Sequence, residues 1–96
     1  MYARVTNIRF PSNMKAEVVA VAQGLALVLE NQRGFKGLQV LTDPNLGEGI
    51  IISLWETEAE AEASEVSSSY IGQMSMMSSF LHEALVPKTY EVSVKT

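Results

Sequence analysis

Gly49-Ile50-Ile51-Ile52-Ser53-Leu54-Trp55-Glu56-Thr57-Glu58-Ala59-Glu60 carries two signals side by side. Its first part is rich in β-branched and large apolar residues, the composition of a strand. A strand with one wet face alternates apolar and polar. This one is apolar on both sides, so both faces of its sheet are expected to be covered. Its second part, Thr57 to Glu60, has the spacing of a capping box: the threonine hydroxyl accepts from the Glu60 backbone while the carboxylate returns to the cap. A strand therefore runs directly into a helix. Upstream, Asp43-Pro44-Asn45-Leu46-Gly47 is dense in turn formers, and Phe35 to Asp43 before it reads as another strand, so the two strands make a hairpin.

Tyr2 to Phe10 alternates Tyr2, Arg4, Thr6, Ile8 and Phe10 against Ala3, Val5, Asn7 and Arg9, a period of two that predicts strand one. We assign Ala3, Val5 and Asn7 to the face under the helices. Pro11, Ser12 and Asn13 break the pattern and lead into a helix whose inward stripe is Met14, Val18, Val21, Ala22, Leu25, Val28 and Leu29. The opposite side, with Ala16, Ala20, Gly24 and Leu27, is poor in charge and suggests a second covering surface. Gly34 suits the left-handed end of that helix. After a serine-rich break at Ser67 to Ser69, Tyr70, Ile71, Met74, Met77, Phe80 or Leu81, and Ala84 recur at helical spacing up to Pro87. Thr89 to Lys95 alternates again as a last strand.

The order is β-α-β-β-α-β, an α+β, ferredoxin-like arrangement with a four-stranded antiparallel sheet and helices on one face. That layout leaves the other face bare. Exposing its apolar rows forfeits about 25 cal/mol per Å², so a second copy stacking sheet on sheet is the expected partner.

At 96 residues the chain, 1–96, is read as one domain. A hydrophobic fraction of 47% with 19% charged residues excludes a disordered chain. No run approaches the roughly 20 apolar residues of a membrane span, which points to a cytoplasmic protein without a membrane partner. The absence of cysteine excludes disulfides and thiolate chemistry. The net charge of −4 comes largely from Glu58, Glu60, Glu62 and Glu65, and no basic cluster is present to track a phosphate backbone, so nucleic acid is not an expected partner. Those glutamates have no His or Asp at metal-ligand spacing, and no metal site is expected. Phosphate loops and nucleophile elbows are missing as well.

The block Arg33-Gly34-Phe35-Lys36-Gly37, the turn Asp43 to Gly49, the run Leu54 to Ala61 and the opening Tyr2-Ala3-Arg4-Val5-Thr6 together resemble the antibiotic biosynthesis monooxygenase (ABM) family. The resemblance spans nearly the whole chain, although its motifs mark fold more than chemistry. It implies a dimeric α+β barrel with a pocket in each subunit between helices and sheet. It also implies functions that range from cofactor-independent oxygenation of polycyclic aromatics, through haem degradation, to no known reaction. In the haem-degrading members an Asn, a Trp and a His line the site. Asn7 matches the first, but the other two fall near Ser64 and Met74, neither of which replaces a histidine on iron. Haem is therefore disfavoured, and no cofactor is expected.

The candidate catalytic residues are Asn7, Tyr70 and His82. Asn7, as the one amide in an apolar row, either binds a substrate carbonyl or enolate or satisfies a neighbouring backbone group. His82 is the only histidine and so the obvious proton acceptor; its late helical position equally suits a solvent-facing role, which is the reading we favour. Tyr70 offers a phenolic donor. Trp55, Gln73, Met74, Met77 and Phe80 are the candidate substrate-binding wall, and the same residues are also the ordinary composition of a core. The leading expectation is a monooxygenase or related pocket protein for an aromatic or polycyclic ligand. The rival is a non-catalytic dimeric ligand-binding or scaffold module.

Overall fold

The computed structural model describes residues 1–43 and 45–96; Pro44, part of the expected turn, lies outside the described residues. Strand β1, Tyr2–Arg9, is followed by a single 3₁₀ turn at Ser12–Met14 and helix α1, Lys15–Leu29. The hairpin is β2, Phe35–Asp43, with β3, Glu48–Trp55. Helices α2, Glu58–Glu65, and α3, Ser68–Ser78, then lead to β4, Lys88–Glu91. The sheet order is β2-β3-β1-β4, with β3 antiparallel to both β2 and β1, and β1 antiparallel to β4. This is the expected ferredoxin-like α+β fold.

Local chemistry sets the boundaries. The Thr57 hydroxyl accepts from the Glu60 N–H at 3.1 Å and donates to the Glu60 carboxylate at 3.0 Å, so the capping residues are those expected, with the carboxylate on the hydroxyl. Ser67 caps α3 by accepting from the Tyr70 N–H. By length and composition Ser12–Leu29 resembles a membrane span. In the fold, however, Val18, Val21, Ala22, Leu25 and Leu29 are buried with Ile8, Phe10, Ile51, Trp55 and Met77, so the stretch is a core helix. Opposite its inward stripe α3 approaches at Gly24, over which the Gln73 side chain lies close, but Ala16, Ala20 and Leu27 are exposed, so the expected second covering surface is confined to that contact.

Three expectations are corrected. The inward row of β1 is Arg4, Thr6 and Ile8, which are buried, while Ala3, Val5 and Asn7 lie on the open face and Asn7 is exposed. A two-residue period makes this choice all or nothing. The arginine row goes inward because Ile8 and Phe10 seal one end of it and Arg4 finds partners at the other. Second, α3 stops at Ser78 rather than continuing toward Pro87. The Ser78 and Ser79 hydroxyls donate back to the Met74 and Met76 carbonyls, and the His82 N–H donates to the Arg9 carbonyl at the end of β1, where a continuing helix would have sent it to Ser78. Third, β4 ends at Glu91; pairing closes with the Val92 N–H on the Met1 carbonyl.

The open face carries Ala3 and Val5 beside Ile50, Ile52 and Leu54, with Leu41 and Tyr90 exposed at its edges. The other row of β3, with Ile51 and Trp55, packs under the helices. The two-sided apolar character of β3 is thus divided between the core and an uncovered surface.

Gly47 sits at φ 65°, and a Cβ there would meet the Phe10 carbonyl oxygen, whose own N–H donates to Gly47 O. A side chain would strain the left-handed backbone by roughly 1–2 kcal/mol before any clash. Gly47→Ala is expected to lower the melting temperature by about 4–8 °C per kcal/mol lost. Gly72, exposed on α3 with open space at its Cβ, is the opposite case. There Gly72→Ala should raise stability by up to about 1 kcal/mol. Thermal unfolding of both variants checks the pair of signs.

Candidate functional site

Arg4 rises from the middle of the sheet, between Ser53 of β3 and Thr89 of β4, into the interior under α2 and α3. It is 2% exposed. Burying a guanidinium is tolerable only where its charge and donors find partners. Nη1 donates to the Ala61 carbonyl at 2.8 Å and to Ser64 Oγ at 2.7 Å, and lies 3.6 Å from the Glu65 carboxylate. The guanidinium carbon is 5.1 Å from the Trp55 ring centroid and 4.6 Å from that of Tyr70, inside cation–π range for both. The partly exposed Glu65 and the carbonyls near the C-terminus of α2 are the matching negative ends. Nη2, equally buried, has no hydrogen-bond partner among the described residues.

The rings are themselves fixed. Trp55 donates through Nε1 to Ser53 Oγ at 2.8 Å and meets Phe35 edge to face at 5.5 Å. Ser64 Oγ passes its own proton to the Ala61 carbonyl at 2.7 Å. Burial pushes the Arg4 guanidinium below its ordinary pKa, and the neighbouring Tyr70 and Glu65 work against that shift. Burial pushes the Tyr70 phenol up, with the Arg4 charge pulling the other way. The result is a cation held against two aromatic rings with its neighbours closed around it.

Of the sequence candidates, Trp55, Tyr70 and Met77 are brought together in this interior, with Met74 and Phe80 packed against it. Gln73 lies over Gly24 between α1 and α3. Asn7 is on the opposite side of the sheet and cannot share a ligand with Tyr70 within one chain. His82 is exposed, beyond the end of α3. Arg4 was missed. The signal was present in its row, because an arginine alternating with Thr6, Ile8 and Phe10 must find partners for its charge if that row goes inward.

The antibiotic biosynthesis monooxygenase family profile matches residues 1–71. The chain belongs to that family. Solved structures of similar fold include a Nitrosomonas europaea protein assigned to antibiotic biosynthesis monooxygenases, 12% identical with a TM-score of 0.83, covering 98% of this chain and 100% of that one. Another is SnoaB, a cofactor-independent oxygenase from Streptomyces nogalater, 11% identical, with a TM-score of 0.83 and coverage of 98% and 94%. Rv0793 from Mycobacterium tuberculosis is 8% identical, with a TM-score of 0.81 and coverage of 98% and 96%. No curated protein matches the sequence.

In this ABM chain space and donor are separated. A cavity of about 480 Å³ lies at one end of the open face, lined by Asn7, Arg9, Leu41, Asp43, Glu48 and Ile50 among others. A cleft of about 200 Å³ runs between α1 and β2, along Val19, Ala22, Ala26, Leu38 and Val40. Around Arg4 the interior is filled, with Trp55 and Met77 wholly buried. Ser64, near a position that the resemblance links to haem degradation, accepts from Arg4, and Asn7, matched to another, faces away from it.

The raised Tyr70 pKa has a sign that can be read in stability. A phenol whose folded pKa exceeds its unfolded value stabilises the fold fully below about pH 10, and that contribution disappears as pH rises through the folded value. The melting temperature of the ABM chain is expected to fall on the alkaline side of pH 10. Tyr70→Phe, which cannot ionise, should fall less steeply over the same range. Equal slopes would remove Tyr70 from this account.

Proposed function

We propose that this chain is a homodimeric, cytoplasmic, cofactor-independent monooxygenase acting on an aromatic or polycyclic small molecule. The observation that carries the reading is the buried Arg4 guanidinium between the rings of Trp55 and Tyr70, in a chain of the monooxygenase family. The similarity in fold to the cofactor-independent oxygenase SnoaB is consistent with it. In such chemistry the substrate supplies the electrons. An anthrone-like phenol loses a proton, its anion reacts with dioxygen, one oxygen atom becomes the new carbonyl on carbon, and the other leaves as water. The protein contributes orientation and a field that favours the anion.

The open sheet face supports the dimer. Ala3, Val5, Ile50, Ile52 and Leu54 form its middle, and a second copy stacked there buries them at about 10 Å between sheets. The 480 Å³ cavity then lies at the rim of the interface. A second reading, a non-catalytic dimeric module of the same fold, is favoured by one observation: the interior around Arg4 is filled by the chain's own Trp55 and Met77.

Two measurements test these statements. Sedimentation at micromolar concentration should give a dimer that buries more than roughly 1,200 Å² in total; a monomer overturns the assembly. Titration with anthrone under air should show binding, oxygen consumption and formation of the quinone. Binding without turnover selects the module. Asn7→Leu and His82→Ala are both expected to leave anthrone binding unchanged, because neither residue reaches the interior. Loss of binding in Asn7→Leu would move the site to the open-face cavity.

A further inference from the structure

The cavity of about 480 Å³ at one end of the open face lies on the far side of the sheet from Arg4. Its size is within the range of small-molecule sites. Strand register sets its walls in two rows. Leu41, Ile50 and Asn7 stand opposite one another across β2, β3 and β1, and Asp43, Glu48 and Arg9 form the next row toward the strand ends. The first row gives an apolar floor with one amide at its side. The second is acidic where β2 meets β3: Asp43 and Glu48 are direct cross-strand partners, and like charges so placed repel. Arg9 is the register partner of Glu48 on β1, yet its guanidinium is engaged with Glu83 at 3.3 Å. Among the described residues no cation pairs with Asp43 or Glu48. One Asp43 oxygen accepts from the Asn45 and Leu46 N–H groups and serves the turn, which leaves the other to the cavity.

We infer that this cavity binds an organic cation with a flat apolar body, an aryl-alkyl ammonium, whose ring lies on Leu41 and Ile50 and whose charge sits between Asp43 and Glu48. The volume makes the site, and the carboxylates select the ligand. A neutral ring leaves the repulsion between Asp43 and Glu48 in place, and an anion adds to it. An ammonium relieves it, so a pair that is unfavourable in the empty chain becomes favourable with the ligand bound. Both carboxylates are exposed, so the selectivity is modest: one exposed ion pair supports a ratio of up to about fivefold. The charged row stands at the strand ends, beyond Ala3, Val5, Ile52 and Leu54. A second copy stacked on that apolar middle therefore leaves the cavity an entrance at the rim. The sheet separates this site from the interior, and neither reading depends on the other.

The test is calorimetric titration of the full chain with 1-naphthylmethylamine, 1-naphthalenemethanol and 1-naphthaleneacetate, which keep the ring and vary the charge. At low ionic strength the amine is expected to bind about fivefold tighter than the alcohol, and the acetate more weakly than either. Added salt should shrink the first ratio. Glu48→Gln should bring amine and alcohol within about twofold and, by removing the repulsion, raise the melting temperature of the empty chain. Asp43→Asn keeps an oxygen for the turn and should lower the ratio as well. Leu41→Ser should weaken amine and alcohol alike, which fixes the ring in this cavity. The inference falls if the alcohol or the acetate binds as tightly as the amine, if the amine preference survives both carboxylate variants, or if no probe binds. Displacement of the amine by anthrone would put it in the interior and overturns the inference too. Loss of the dimer in Glu48→Gln with the amine preference intact would assign the carboxylates to a contact between copies, and the ligand reading would be wrong.

Discussion

The interaction on which the rest of the structure depends is the burial of one guanidinium. Arg4 fixes the inward row of β1. Because neighbouring side chains on a strand alternate, this single choice sends Thr6 and Ile8 into the core and Ala3, Val5 and Asn7 to the open face. It also holds α2. That helix buries only Ala61 and Ser64, too little apolar surface to secure two turns by packing alone, and both of those residues are partners of Arg4. The same cation then orders Trp55 and Tyr70 around itself. Sheet, α2 and α3 meet at one charged group.

Its cost is shared unevenly. Two hydrogen bonds and a partly exposed carboxylate offset desolvation at Nη1, the two rings face the guanidinium as a whole, and Nη2 has no hydrogen-bond partner among the described residues. Core-only selection would favour an apolar replacement of similar volume, since such swaps for buried ions are often neutral or stabilising. Packing alone does not require a cation at this position.

Much of this was legible in the sequence. The capping box at Thr57 and Glu60, the inward stripe of α1, the hairpin and the element order are local patterns, each set by spacing within a few residues, and they appear where expected. The Ala3, Val5, Asn7 row misled because by composition it looks apolar. The competing row contains an arginine, and its burial depends on Trp55, Ala61, Ser64 and Tyr70, residues more than fifty positions away. No window on β1 holds that information. The overrun of α3 has a similar origin: Phe80, Leu81 and Leu85 do pack on the core at nearly helical spacing, but from an irregular segment tied to β1 through the Arg9 carbonyl. Apolar spacing reports which residues go inward, not which backbone takes them there.

The separation of cavity from donor bears on how one fold is reached by chains that share only 8–12% identity with this one. The sheet and helices require only apolar rows at fixed periods, which many sequences satisfy. Chemistry enters through the few polar side chains that point inward from the sheet, and in β1 those are Arg4 and Thr6. Replacing one inward residue changes the charge offered to a ligand without disturbing the strand's pairing, because the backbone ladder does not depend on it. An inward amide, a histidine or an arginine on this scaffold therefore gives different sites on the same frame. Here the inward group is a cation packed against two aromatic rings. The side chain that ties α2 and α3 to the sheet is also the one charged member of the inward row of β1, so the frame's packing and the charge in its interior are set at the same residue.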